Sequence, residues 1–271
     1  MINRAILRIT LIAGLLVSAC AGVSLSRLQT EFNELYQEKE ACLSQEKASG
    51  KDVTSIKSIP CIEQAEAAFF ALAQSAKSAA DSADDQRTKI ALLRLAGVSL
   101  WQSGRGTEKE ANALVNRICL EGESICRAIE EKAKKGEIYG APRDCALVAI
   151  LPALVWHSEY KKRLEELKGQ PYSEQGREEL IRIIENYPGN TVLFVSSKKK
   201  EVGTYTGLSP SVMDYVKEVE RKSFCNFLIV EEIVLGKDLG HEKYRDLGRR
   251  FDNQVKTMSQ ETGLNRVNDC R

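Results

Sequence analysis

The stretch from Cys61 to Ala76 reads CIEQAEAAFFALAQSA and decides the fold class. Apolar residues recur along it at the three- and four-residue spacing that places them on one face of an α-helix. They are Ala65, Phe69, Leu72 and Ala76. The preceding segment repeats the same spacing at Leu28, Phe32 and Leu35. Because the polar stretch 44–58 and Pro60 separate the two segments, the sequence predicts an αα-hairpin.

The rest of the chain continues this helical periodicity with few strand signals. We therefore expect an all-α fold of helical hairpins stacked in an array or bundle. The β-like run Thr191–Ser196 is the exception, and it predicts at most a minor β-hairpin or an extended loop near 191–207. A linker-like break at 136–142 divides an N-terminal helical-hairpin region, 20–140, from a C-terminal helical region, 141–271, unless the two form one continuous domain.

The cysteines predict a disulfide at the foot of the first hairpin. Cys42 and Cys61 stand on either side of the loop that joins its two helices, so a bond between them would staple the hairpin. Cys119 and Cys126 could close a second loop only if Gly122 breaks the helix, because two unbroken turns separate Cα atoms by about 10 Å. Seven cysteines follow Cys20, so at least one is free or bonds another molecule.

The first 20 residues have the three-part plan of a signal peptide. Arg4 and Arg8 precede the apolar run 9–17, and small residues stand directly before Cys20. The segment Leu16-Val17-Ser18-Ala19-Cys20 resembles the lipobox of bacterial lipoproteins. The resemblance implies cleavage after Ala19, with Val17 and Ser18 in the recognised flank, and acylation of Cys20, which would make the lipid bilayer a partner of the mature chain.

Two alternatives to the lipobox remain open from the sequence: an uncleaved membrane anchor, and an ordinary signal peptide that leaves Cys20 as a plain cysteine. In many Gram-negative lipoproteins an aspartate after the lipidated cysteine signals retention in the inner membrane. This chain has Ala21 there. In a cell with two membranes, the resemblance therefore implies a lipid anchor in the outer membrane that faces the periplasm.

Residues 61–120 also resemble, weakly, degenerate tetratricopeptide-like helical hairpins. The pattern Ala65-x3-Phe69-x2-Leu72 matches part of the second helix of that repeat, and Leu95-Ala96 matches a small-residue position of its first helix. The spacing departs from a 34-residue period, and the general physics of helical hairpins explains the pattern equally well.

Charge and motifs exclude several classes of function. Residues 1–19 hold two of the 39 basic residues and no acidic ones, so the mature chain, with 38 acidic residues, has a net charge of about −1 and no basic footprint for nucleic acid. The only histidines are His157 and His241, and the spacing of the cysteines is not that of a zinc site, so we expect no metal and no cofactor. Glu231 and Glu232 are adjacent and point apart in a helix, so we assign no catalytic residue.

These observations favour a non-enzymatic scaffold or assembly factor of the cell envelope that binds a protein partner. Stacked helical hairpins create extended surfaces for such partners, and we expect an apolar groove between the hairpins of 61–120. The alternatives are an inhibitor or immunity-type lipoprotein of the periplasm and a carboxylate-dependent cell-wall enzyme.

Overall fold

The computed structural model describes residues 24–49, 59–105, 108–167, 173–186, 188–235 and 245–270, and these form helices and turns without any strand. The all-α prediction is thus confirmed. The helices are α1 Leu25–Ala48, α2 Pro60–Asp81, α3 Gln86–Gln102, α4 Lys109–Lys134, α5 Pro142–Leu167, α6 Glu174–Asn186, α7 Pro188–Val202, α8 Pro210–Leu235, α9 Arg245–Thr262 and α10 Arg266–Asp269.

Helices α1 and α2 form an antiparallel hairpin. A disulfide joins Cys42 to Cys61, the pair at the foot of the hairpin. Ten residues nearer the start of α1, the ring of Phe32 meets the fully buried ring of Phe69 edge to face, with the ring centroids 5.5 Å apart. Helix α3 packs against the hairpin of α1 and α2. The Lys39 Nζ of α1 donates to the carbonyl oxygen of Gln102, at the end of α3, at 2.7 Å. Apolar contact along the predicted helix faces therefore builds the hairpin.

Helix α5 lies at the centre of the molecule and is apolar on both sides. Val148, Leu151 and Val155 pack into a cluster with residues of α1 to α4, whereas Ile150 and Ala153 pack with residues of α7 and α8. A helix that is buried between neighbours on two sides needs apolar residues on both, and residues 145–155 of α5 are all apolar.

Ion pairs tie the helices together around this core. The buried Lys77 of α2 and Lys89 of α3 each hold Glu121 of α4 at 2.9 Å, and Arg94 of α3 lies 2.6 Å from Asp144 of α5. Burial raises the pKa of the Glu121 carboxyl. Hydrogen bonds from Lys89 and Lys77 together lower it by a larger amount, so this pKa lies below its ordinary value. The network favours one arrangement of α2, α3 and α4.

The expectation of a β-hairpin or extended loop near 191–207 is wrong. Residues 188–202 form helix α7, and only the turn that follows it is not helical. Val192, Val195 and Val202 are all fully buried, against other helices of the molecule. Burial of one helical face thus outweighs the preference of β-branched residues for strands.

Helices α8, α9 and α10 enclose a separate aromatic cluster. Phe227 of α8 and Phe251 of α9 are fully buried with their ring centroids 4.9 Å apart. A disulfide between Cys225 and Cys270 fastens the short α10 to α8. In the part of the chain that the structure describes, no helix is both long and apolar enough to cross a bilayer.

Candidate functional site

The residues that the sequence singles out for lipid attachment lie outside the described part of the structure. These are Cys20 and its flank Val17, Ser18 and Ala19. His241 also lies outside it, as do the side chains of His157, Glu231 and Glu232. The anchor therefore stays a prediction, and the site described below is one that the sequence did not indicate.

A cavity of about 150 Å³ opens between α4, α5 and α7, and we call it the α4–α5–α7 cavity. Its walls are mostly apolar, with a polar rim on the α7 side. Helix α4 contributes Cys119, Gly122, Glu123 and Cys126, α5 contributes Cys145, Val148, Ala149 and Pro152, and α7 and the turn after it contribute Phe194, Lys198, Glu201 and Tyr205.

Gly122 sets the distance between α4 and α5. A Cβ atom there would lie 2.4 Å from Cγ1 of Val148, a distance that real Cβ atoms do not tolerate. Helix α4 runs unbroken through this glycine, so the condition for a Cys119–Cys126 bond is not met. Cys126 instead pairs with Cys145 of α5, and Cys119 is left as a free thiol. The close approach that Gly122 permits brings this second disulfide together.

Pro152 accounts for the environment of the Cys119 thiol. Proline has no N–H, so the carbonyl of Val148, four residues earlier in α5, lacks its usual helical donor. The Sγ of Cys119 lies 3.9 Å from that carbonyl oxygen, within reach of a weak S–H···O contact. The thiol thus partly replaces the hydrogen bond that proline removes.

Three polar side chains form the rim. Lys198 Nζ donates to Glu201 Oε2 at 2.8 Å, and the Tyr205 hydroxyl donates to Glu201 Oε1 at 3.3 Å. The Lys198 ammonium also lies 6.0 Å from the centre of the Phe194 ring. Burial, and then the negative charge of Glu201, raise the pKa of the Tyr205 hydroxyl above its ordinary value. The rim can therefore donate and accept hydrogen bonds beside an apolar wall.

Each of the two carboxylates of the cavity has a partner of its own. Glu201 is held by Lys198 and Tyr205, and Glu123 forms an ion pair with Arg127 at 2.9 Å on the exposed side of α4. Among the described residues, no group of three or more His, Cys, Asp or Glu side chains could hold a metal ion.

We expect the Cys119 thiol to react very slowly in the folded protein. Burial raises its pKa to about 12, more than the nearby Lys198 lowers it, and the thiolate is the reactive form. At pH 8, alkylation by iodoacetamide should be roughly a thousandfold slower than in the urea-unfolded chain, and its rate should rise about tenfold for each pH unit.

Peptide mass spectrometry of non-reduced protein measures this reaction at Cys119, because the six cysteines held in disulfides do not react and Cys20 falls in a different peptide. Equal rates in the folded and unfolded chains would show that the thiol is accessible and reactive.

Comparison with known proteins gives no match to a family model, a curated protein or a solved structure. Arguments about function therefore rest on the chain itself. The cavity combines residues 119–126, 145–152 and 194–205, and no motif in the sequence links these three segments. Gly122 was the one available signal, because a glycine within an amphipathic helix often marks a close approach by another helix.

Proposed function

We propose that this chain is a lipid-anchored envelope lipoprotein, held by acylated Cys20 in the outer membrane facing the periplasm, that acts as a non-enzymatic scaffold for an envelope protein. The observation that carries the proposal is the α4–α5–α7 cavity, which offers apolar surface and hydrogen-bonding groups together at the junction of three helices. A protein side chain inserted there would bury apolar surface and meet the rim of Lys198, Glu201 and Tyr205.

The size of the cavity favours a protein partner over a cofactor. Pockets for small-molecule ligands typically have volumes of about 300–1,000 Å³. The α4–α5–α7 cavity measures about 150 Å³, which suits one or two side chains of a docked segment. Side chains that fill such pockets supply much of the binding energy of protein interfaces.

The disulfides support the proposed location. Three of them join described helices, and disulfides persist in oxidising compartments such as the periplasm and are rare in the cytosol. Export is also what the lipobox at 16–20 implies. A chain tethered by lipid searches for membrane-associated partners within a confined volume.

Photocrosslinking in intact cells tests the scaffold function. We expect p-benzoylphenylalanine in place of the half-buried Phe194, on the cavity wall, to capture one envelope protein. The same amino acid in place of Tyr36, which is 42% exposed on α1, should capture none. Both substitutions replace one aromatic ring with another, so the two variants are matched.

A second variant separates the cavity from the surface around it. Ala149→Leu places a larger side chain in the cavity and should weaken the Phe194 crosslink about tenfold, which corresponds to about 1.4 kcal/mol of lost binding free energy. Equal capture at both positions, or an unchanged crosslink in Ala149→Leu, would contradict the proposed site. Capture of an enzyme that enters the periplasm from outside would favour the inhibitor alternative.

A further inference from the structure

The connection between α4 and α5 exposes two adjacent apolar side chains at one end of the molecule. Tyr139 is 83% exposed, more than any other large apolar residue of the described chain, and Ile138 is 36% exposed. Single exposed apolar residues are common on protein surfaces, so it is the adjacency of these two that singles them out. We call residues 132–143 the α4–α5 tip.

The α4–α5 tip is a built structure. At the end of α4, Gly136 has a φ of 74°, its N–H donates to the carbonyl of Ala133, and the N–H of Glu137 donates to the carbonyl of Lys132. This is the hydrogen-bond pattern of a Schellman motif, which ends a helix in a defined direction. Arg87 Nη2 then donates to the carbonyl oxygen of Tyr139 at 2.6 Å. The exposed side chains are therefore presented by a fixed backbone.

A neighbouring loop supports the tip from behind. A Cβ atom at Gly140 would lie 2.7 Å from the carbonyl oxygen of Thr206, so only glycine allows the two loops to approach this closely. The backbone N–H of Thr206 donates to Glu130 Oε2 at 2.7 Å, and the Glu130 side chain is buried. The tip is thus fastened to the α7–α8 connection as well as to α3.

Cationic side chains flank the apolar pair on both sides along the chain. Four exposed cationic side chains lie in the tip: Lys132, Lys134, Lys135 and Arg143. Glu137 is the one exposed acidic residue of the tip, and Glu131 stands immediately before the tip in the chain. Tyrosine is enriched where proteins meet the membrane–water interface, and lysine and arginine next to it can reach anionic headgroups. The composition of the tip fits a surface of anionic phospholipid.

The tip also lies at the end of the molecule that leads to Cys20. Helices α1 and α2 are antiparallel, as the Phe32–Phe69 contact and the Cys42 disulfide show, so the start of α1 lies beside the end of α2. A short turn joins that end to the start of α3, where Arg87 holds the tip. Five residue steps from Cys20 to Leu25 span at most about 18 Å in any conformation.

The α2–α3 turn at this same end carries acidic residues. They are Asp81, Asp84 and Asp85. Asp81 forms an ion pair with Lys77, and the Asp85 side chain caps α3 by accepting from the backbone N–H of Thr88. Asp81 and Asp85 thus face partners within the protein, whereas Lys135 and Arg143 each stand four residues from Tyr139 in the chain.

We propose that the α4–α5 tip docks on the phospholipid surface that bears the anchor, with Ile138 and Tyr139 at the interface and the four cations among the headgroups. This inference rests on the proposed lipid anchor. A lipid anchor alone leaves the domain free to turn on its tether. A second contact fixes one end against the membrane and leaves the α4–α5–α7 cavity at a defined height above it.

Tryptophan fluorescence on vesicles tests the docking. The mature chain, in a Cys119→Ala background so that Cys20 holds the free thiol, is coupled through Cys20 to maleimide-phospholipid in vesicles of phosphatidylethanolamine and phosphatidylglycerol. Tyr139→Trp reports on the tip. Leu120→Trp, at a 72% exposed position further back on α4, is the matched control. The parent chain corrects for Trp101 and Trp156.

We expect the tryptophan of Tyr139→Trp to shift to shorter emission wavelengths on the vesicles. Brominated acyl chains should quench roughly half of its emission, since interfacial groups lie about 5–10 Å below the surface. The tryptophan of Leu120→Trp should show neither change. Equal quenching of the two variants, or none, would overturn the proposal. Because the tether is chemical, neither result depends on acylation in the cell, which mass spectrometry of the native N-terminal peptide decides separately.

Discussion

Replacing both Cys126 and Cys145 with alanine is expected to lower the free energy of unfolding by about 3 kcal/mol or more. The bond joins residues 19 positions apart, and closing a segment of that length removes about 3 kcal/mol of conformational entropy from the unfolded chain. Both cysteines are also buried, with 4% and 1% of their surface exposed, so the truncation removes packing contacts on the cavity wall. Urea unfolding of the non-reduced proteins measures the difference.

The matched control is Cys42→Ala/Cys61→Ala. That disulfide also joins residues 19 positions apart, so the entropic loss should be the same, but Cys61 is exposed and less packing is lost. The Cys126/Cys145 variant should therefore be the less stable of the two. If it proves equal or more stable, then packing around the cavity contributes nothing, and loop closure accounts for the whole stabilisation.

The comparison of these two disulfides shows what the sequence could and could not predict. Cys42 and Cys61 stand on either side of a polar stretch between two periodic segments, so their pairing follows from local pattern. Cys126 lies within a long helix, and its partner becomes adjacent only when α5 folds back on α4. The sequence left open a Cys119–Cys126 bond on the condition that Gly122 broke the helix. In the structure this glycine leaves α4 intact and admits Val148 of α5.

The error at 191–202 has a related cause. The run Thr191–Ser196 is rich in β-branched residues, and the local preference of such residues favours a strand. Its helical conformation depends on burial against elements distant in the chain, including Phe224 and Phe227 of α8. Periodicity over a short apolar segment does not separate a buried helix from a strand, so the sequence alone could not decide the matter.

The same reasoning applies to the candidate site. Fold class followed from helical spacing repeated over many segments, whereas the α4–α5–α7 cavity depends on which faces of three helices meet. The expected apolar groove between the hairpins of 61–120 is not the place where the cavity lies, and within that range Leu120 is the exposed large apolar side chain. The sequence therefore predicts where in the cell the protein is anchored, and the structure locates the surface on which a partner could bind.

Cys20→Ser is expected to abolish lipid attachment completely while leaving the folded domain unchanged. The resemblance of residues 16–20 to a lipobox implies that the thiol of Cys20 is the only acceptor of the diacylglyceryl group, and serine cannot form the thioether. Each buried methylene is worth about 0.8 kcal/mol, so the loss of several acyl chains removes an effectively permanent anchor. Thermal unfolding of the helical domain should not shift, because serine differs from cysteine by one atom and the three disulfides between described helices do not involve position 20.

Metabolic labelling with a radioactive fatty acid measures the effect of this change more directly than cell fractionation does. The unprocessed precursor keeps the apolar run 9–17, so some of the variant can remain with membranes without any acyl chain. Cys119→Ser is the matched control, since it removes the free thiol of the described domain, and it should label like the wild type. Lipid labelling that persists in Cys20→Ser would contradict the anchor. The α4–α5 tip would then have to bind the membrane without a lipid tether. Two apolar side chains and a few cations bind a membrane only weakly.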